Sequence, residues 1–296
     1  MEKSRLIKKI GNVDFELTYL CNLDCLHCYN PLHTKTEEFA TDEVVSLTKE
    51  IKQAGFDEIH YNGGEPLIRK DIRDILSAST QLGMKTLLET NATLLKPSHI
   101  RNLKDLIIRA SLDGSEIVHN EIRKGTPSNA YQNCLKNLAG VEEHGIPVQL
   151  TCSINGLNFD SIYQMVKEVQ EYGLDDIRLR LTMPTGSAIK NWTKLAMNEE
   201  QLKTVRKTAR RIKNDYPNVN FDSSSLNRGI PKFEPKFFID PRGLVKPYPF
   251  IESYVGNLRQ EPIEEILGKI PRFRLPTEEE NRMVGYLTKI GMVSEE

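Results

Sequence analysis

The chain carries no surplus of charge. It has 40 Lys and Arg against 41 Asp and Glu, a formal net charge of -1 over 296 residues. No global field therefore argues for nucleic acid or a membrane surface as a partner. No apolar run is long enough to cross a bilayer as a helix. The first residues, MEKSRLIKKIGN, lack the apolar stretch of a secretory signal. Cysteine is scarce and odd in number: five, with three inside ten residues. That count argues against a disulfide framework and makes a reducing cytoplasm the expected compartment. Internal repeats and low-complexity tracts are missing too, although tandem β–α units mimic a weak repeat. What remains is an ordinary globular composition, 39% hydrophobic and 27% charged. The length suits one large barrel or two smaller domains.

Short apolar strands alternate with amphipathic helices along the chain. VDFELTYL (13–20) reads as a strand that ends at the cysteines. TDEVVSLTKEIKQAG (41–55) reads as a helix: Thr41 is placed to cap it, Val44, Leu47, Ile51 and Ala54 share a face, and Gly55 ends it. Further strands follow at DEIHYN, KTLLET, LIIRASL, PVQLTCSI and DIRLRLT. Each leads to a helix, expected near 70–82, 97–104, 128–144, 159–172 and 198–214. Six such units imply a parallel sheet with helices outside, either doubly wound or barrel-like. In barrels the chemistry lies at the carboxyl ends of the strands. After about residue 220 the pattern changes. KFFIDPRGLVKPY reads as a β-hairpin turning at Pro-Arg-Gly, and PIEEIL and TEEENRMVGYLTKI as two helices. The expected division is a core over 1–219 and a small α+β extension over 220–296.

CNLDCLHCYN (21–30) sets Cys21, Cys25 and Cys28 in a C-x3-C-x2-C spacing, with no fourth cysteine nearby. Structural zinc sites are closed by four ligands, and electron-carrying clusters normally use four thiolates. Three thiolates on a four-iron cluster leave one iron open to a substrate or cofactor. The competing reading is a zinc site closed by His27 or His33. YNGGEP (61–66) follows the second strand, TNATLL (90–95) the third, SLDG (111–114) the fourth and MPTGSA (183–188) the sixth.

With an aromatic after the third cysteine and GGEP one β–α unit later, this series resembles the radical S-adenosylmethionine superfamily, in its branch with SPASM or twitch extensions. The resemblance spans roughly residues 10–270. It implies a partial (β/α)6 TIM-like barrel of α/β class. It also implies one [4Fe–4S] cluster on Cys21, Cys25 and Cys28, with the open iron taking the amino and carboxylate groups of S-adenosylmethionine. Reductive cleavage then yields a 5′-deoxyadenosyl radical, with the electron supplied by a reducing flavodoxin or ferredoxin. Gly63 and Gly64 fall at the methionine amino group, where a Cβ would obstruct, and Glu65 is its acceptor. Ser111 and Asp113 fall at the ribose or methionine end, Arg123 at the methionine carboxylate, and Tyr29 beside the adenine. Asn91 joins these cofactor contacts. The alternatives are structural: a plain turn at GGEP, a cap at Ser111 and Asp113, a solvent-facing charge at Arg123.

The sequence departs from that branch in its extension. Tyr248 follows Pro247 where the branch carries a cluster cysteine, and no cysteine follows Cys152. One cluster is expected, which gives weight to redox-neutral outcomes such as epimerisation, elimination or C–C bond formation. Strand alternation groups Arg109 with Ser111 and Asp113, Glu89 with Asn91, and Arg178 with Arg180 and Thr182. It puts Cys152 on an apolar face, and Cys134 inside a helix, as core residues. Buried arginines need anionic partners, and Glu89 and the cofactor meet only part of that demand. The expected substrate is therefore a small anionic molecule: a nucleotide, nucleotide-sugar or carboxylate-bearing metabolite. Arg109, Arg180 and Glu89 join the cysteines as catalytic candidates. The alternative is a peptide-modifying maturase, against which the dozen residues ahead of the first strand count, as too few for a leader-binding domain. A non-catalytic iron–sulfur or zinc module conflicts with the three-ligand motif and GGEP. Neither nucleic acid nor membrane is expected as a partner.

Overall fold

Buried apolar residues alternate with half-buried polar ones along the central strands, as in Leu106–Ser111 and Val148–Ile154. Such strands need an apolar layer on one side and a polar interior on the other. The computed structural model, which describes residues 3–30, 34–226, 235–248, 253–273 and 277–292, supplies both. Seven strands pair in parallel in chain order: β1 (Val13–Glu16), β2 (Glu58–Asn62), β3 (Lys85–Thr90), β4 (Leu106–Ser111), β5 (Val148–Ile154), β6 (Asp176–Leu181) and β7 (Asn220–Asp222). The other edge of β1 takes β8 (Phe237–Ile239) in parallel, followed by antiparallel β9 (Leu244–Lys246) and β10 (Gly256–Asn257). The result is an α/β partial barrel.

Ile108, Ala110, Leu150, Cys152, Ile177 and Leu179 are fully buried on the helix-facing side. Each large aliphatic side chain there contributes roughly 1.5–3 kcal/mol. Helices Thr41–Ala54, Ile72–Gln81, Ala130–Glu142, Ile162–Gln170 and Glu199–Asp215 follow the expected segments. The helix expected at 97–104 shrinks to Pro97–Ile100. Cys134 and Cys152 are core residues, both fully buried.

Thr41 is not the cap of its helix. Ala40 holds that position, its N–H taken by Glu43 Oε2 at 2.7 Å, while the Thr41 hydroxyl donates to Asp71 at 2.7 Å. The expected hairpin at Pro-Arg-Gly forms, but its first strand joins the main sheet beside β1. β7 also lies beyond residue 219 and pairs with β6. Strands from both sides of the proposed 219/220 division thus share one sheet. A separate two-stranded ribbon, Leu23–Cys25 with Arg123–Gly125, was not foreseen.

Candidate active site

The chain leaves β1 extended and runs to the cysteines against the GGEP segment. Leu17 N–H donates to the Asn62 carbonyl (2.9 Å), Gly64 N–H to Thr18 (2.7 Å) and Glu65 N–H to Leu20 (2.8 Å). A Cβ on Gly63, which sits at φ +138°, would lie 2.4 Å from the Thr18 carbonyl oxygen. A Cβ on Gly64 would lie 2.2 Å from that of Leu20. The glycines are therefore demanded by the chain's own backbone, which corrects the expectation that a cofactor demands them.

Two further segments clamp the cysteine loop. The ribbon sets Cys25 directly opposite Arg123. On the far side Ser187 N–H donates to the Cys28 carbonyl at 2.8 Å. Gly186 packs so closely on the Cys28 and Tyr29 carbonyls that a Cβ would come within 2.4 Å.

This loop forms one wall of a cavity of about 520 Å³. Cys21, Cys25, Cys28 and Tyr29 line it, together with Gly63, Gly64, Asn91 and Arg123. Glu89, Ser111 and Arg180 line its strand side. Three expected residues do not. Arg109 lines a smaller adjoining cavity of about 220 Å³, shared with Glu89, Ser111, Thr151 and Arg180. Glu65 is buried with its carboxylate turned into the loops: Oε1 accepts from the Thr90 hydroxyl (2.6 Å) and Leu67 N–H (3.1 Å), and Oε2 from Asn91 N–H (2.8 Å). It ties the second strand's loop to the third's, which replaces its expected role as an acceptor facing the cofactor amine. Asp113 is fully buried behind Arg123, accepting from its Nε at 2.7 Å and from Ser153 N–H at 2.8 Å. Burial alone would raise the Asp113 carboxyl; the Arg123 guanidinium, His27 and His119 outweigh it and hold it below the usual range.

The thiols fit an iron–sulfur group. Burial pushes Cys21 and Cys28 up to about 12 and raises Cys25 as well. Bare thiols there stay protonated, and metal coordination is what makes such groups thiolates. Among the described residues no group of three or more His, Cys, Asp and Glu side chains is arranged to hold a metal ion. That speaks against a zinc site with His27; His33 lies outside the described residues. A four-iron cluster makes no such demand, because each thiolate binds its own iron.

The arginines behave differently from expectation. Arg109 Nη1 meets Glu89 at 2.6 Å, and its Nε and Nη2 meet Gln149 at 3.3 and 3.1 Å. Arg178 Nε lies 3.9 Å from Asp176. Arg180 Nη1 lies 3.2 Å from Asp222, on the unforeseen β7. Arg109 and Arg180 each have a carboxylate of the chain itself, while the buried Nε of Arg178 has no hydrogen-bond partner among the described residues. The surplus of positive charge that argued for an anionic substrate is therefore smaller than expected.

The sequence reading also missed Asp14 and Phe238, which line the cavity, and His60, whose Nδ1 lies 3.1 Å from Asp14 and Nε2 2.7 Å from Glu58. The signal was present: Asp14 and Glu16 alternate on VDFE, as His60 and Asn62 do on EIHYN. Glu16 is fully buried, and its Oε1 accepts from the Tyr29 hydroxyl at 3.1 Å. Its Oε2 has no partner among the described residues, and burial raises the carboxyl to about 7.

A partial α/β barrel that presents three clustered thiols, Cys25 buried and Cys21 and Cys28 half-buried, beyond the carboxyl end of its first strand is the architecture of an iron–sulfur radical enzyme. The chain belongs to the Radical SAM superfamily, whose model matches residues 15–169. It is similar to an AdoMet-dependent heme synthase of Nitratidesulfovibrio vulgaris, 25% identical over 88% of this chain and 80% of that protein. It is similar to a PqqA peptide cyclase of Xanthomonas campestris pv. campestris, 28% identical over 86% of this chain and 72% of that protein. Its fold matches that of Streptococcus suis SuiB bound to the precursor peptide SuiA, with a TM-score of 0.74 at 17% identity, over 96% of this chain and 73% of that one. The chain is a radical SAM enzyme, and its cofactors are a [4Fe–4S] cluster and S-adenosylmethionine. When bound, these supply the electron and the carbon radical that abstracts a hydrogen atom; the protein supplies position and exclusion of water. No helix among the described residues is long and apolar enough to cross a membrane.

Proposed function

We propose that this chain modifies a peptide substrate by radical chemistry. Cys21, Cys25 and Cys28 hold the cluster. Asn91, Arg123 and the backbone at Gly63–Gly64 bind the polar end of S-adenosylmethionine, with Tyr29 at its base. Glu65 and Asp113 hold that first layer in place from behind. Ser111, Thr151 and Ser153 offer polar contacts to the substrate group. The observation that carries this reading is the paired wall: Glu89 and Asp222 occupy Arg109 and Arg180, the two wall arginines that line the cavities. A small anionic metabolite would need a spare cation there. The similarity to a peptide cyclase and the fold of an enzyme bound to its precursor peptide support the same reading.

The β8–β9 hairpin is a SPASM-like extension with Tyr248 in place of a metal ligand. With one cluster, redox-neutral products such as a new C–C bond, an epimer or an elimination product fit best. A flavodoxin or ferredoxin in the cytoplasm supplies the electron.

A carboxylate-bearing small molecule is the second reading. Arg180 favours it, because its side chain is 42% exposed and its ion pair with Asp222 can be exchanged for a ligand carboxylate. The heme synthase relatives point the same way. The test is 5′-deoxyadenosine release by the reduced, reconstituted protein, with a degenerate peptide mixture and separately with a carboxylate-bearing tetrapyrrole. Stimulation by peptide, with a mass change in one of its members, is expected. Stimulation by the tetrapyrrole alone would replace the first reading with the second.

A further inference from the structure

We propose that Arg123 raises the reduction potential of the cluster by acting through Cys25, and that Asp113 limits the rise. The proposal rests on the cysteine assignment above. The ribbon fixes the pair by backbone register, with Arg123 opposite Cys25. Arg123 Nη1 lies 3.8 Å from Cys25 Sγ, its Nε 2.7 Å from Asp113 Oδ2 and its Nη2 3.4 Å from His27 Nε2. Arg123 is 9% exposed, Asp113 0% and Cys25 8%. Solvent therefore screens these charges little.

Reduction adds one negative charge to the cluster. A fixed guanidinium with an N–H directed at a ligand sulfur stabilises the reduced form, and a fixed carboxylate destabilises it. Arg123 and Asp113 thus oppose each other about one ligand. Arg123 makes the electron easier to accept from a one-electron donor of the flavodoxin or ferredoxin class. Asp113 keeps the reduced cluster a strong enough reductant for the sulfonium. The step moves one electron and neither forms nor breaks a bond. Arg123 is thereby a positioning residue for charge, in addition to any contact it makes with S-adenosylmethionine.

The experiment is a mediated redox titration of the reconstituted protein without S-adenosylmethionine, read from the paramagnetic signal of the reduced cluster. Three variants are compared with the parent: Arg123→Gln, Asp113→Asn and Lys124→Gln, the last removing an exposed charge one residue away on the same strand. Arg123→Gln should shift the midpoint negative by at least a factor of ten in the reduction equilibrium, about 59 mV for one electron. Asp113→Asn should shift it positive. Lys124→Gln should match the parent. The proposal is overturned if loaded Arg123→Gln and Asp113→Asn keep the parent midpoint, if both shift the same way, or if Lys124→Gln shifts as far as Arg123→Gln. If Arg123→Gln takes up no cluster, the sign of the Asp113→Asn shift decides alone. A parent protein that takes up no iron overturns the cysteine assignment, a failure distinct from that of the charge argument.

Discussion

At the mouth of the cavity, backbone does the holding. Three separate segments pin the cysteine loop through carbonyls and N–H groups. Each thiol makes one further contact: Leu23 N–H donates to Cys21 at 3.4 Å, Cys28 donates to the Asn30 carbonyl at 3.0 Å, and Arg123 lies 3.8 Å from Cys25. On the wall of β4 to β6, side chains hold one another: Arg109 with Glu89 and Gln149, Gln149 with Asp176, Arg180 with Asp222. Both regions leave buried polar atoms without a hydrogen-bond partner among the described residues: Glu16 Oε2, His27 Nδ1 and Asn62 Oδ1 near the mouth, and Asp176 Oδ1, Arg178 Nε and Thr182 Oγ1 on the wall. What separates the cofactor site from the polar interior is what does the holding, backbone at the mouth and paired side chains along the wall.

Four substitutions sharpen the contrast. Gly64→Val should be the most severe, because its side chain would collide with the Leu20 carbonyl behind the cavity. A loss on the order of 3 kcal/mol or more is expected, seen as a collapsed melting temperature of the metal-free protein. A variant that melts like the parent and merely binds S-adenosylmethionine less well would put the glycine requirement back on the cofactor.

Glu16→Gln comes next. The raised carboxyl binds a proton in the folded state that the unfolded chain has already lost. Glu16 therefore costs stability as pH rises from about 4.5 to about 7, and the cost persists above that. The variant should gain on the order of 1–3 kcal/mol over the parent at pH 8, and little at pH 4. Urea melts at the two pH values measure it; an equal difference at both would show that Glu16 is not held near neutrality.

Glu89→Gln breaks the wall. It should cost about 1–2 kcal/mol by leaving Arg109 without its charged partner, with iron uptake unchanged. Lost iron uptake would mean that wall and mouth are coupled.

Arg180→Met should cost less than about 1 kcal/mol, since its pair is partly exposed. Peptide turnover should stay within about tenfold of the parent. A loss of thirtyfold or more would favour a carboxylate-bearing substrate.

Much of the molecule was legible in the sequence, because six strand–helix units repeat with clear periodicity and the cysteine and glycine motifs are local. Three of the three-residue strands were not, although β8 and β9 were, as the hairpin at Pro-Arg-Gly. β7 and the two ribbon strands are too short to show a period, yet β7 brings Asp222 to Arg180 and the ribbon brings Arg123 to Cys25. The anionic-substrate expectation lost weight through the first of these, since Asp222 was invisible as a partner. A glycine motif reveals that a Cβ is forbidden but not on which side, so Gly63 and Gly64 were read toward the ligand. Asp14 and His60 were within reach of the same alternation argument that found Arg109 and Glu89.

The central claim is that the three thiols at the mouth, and no other group in the chain, hold the cluster. Iron content after anaerobic reconstitution of the parent and of the Cys21→Ala/Cys25→Ala/Cys28→Ala variant tests it most directly. The account predicts about four irons per chain for the parent and essentially none for the variant, with the variant still folded. A folded triple variant that keeps the parent's iron would contradict it.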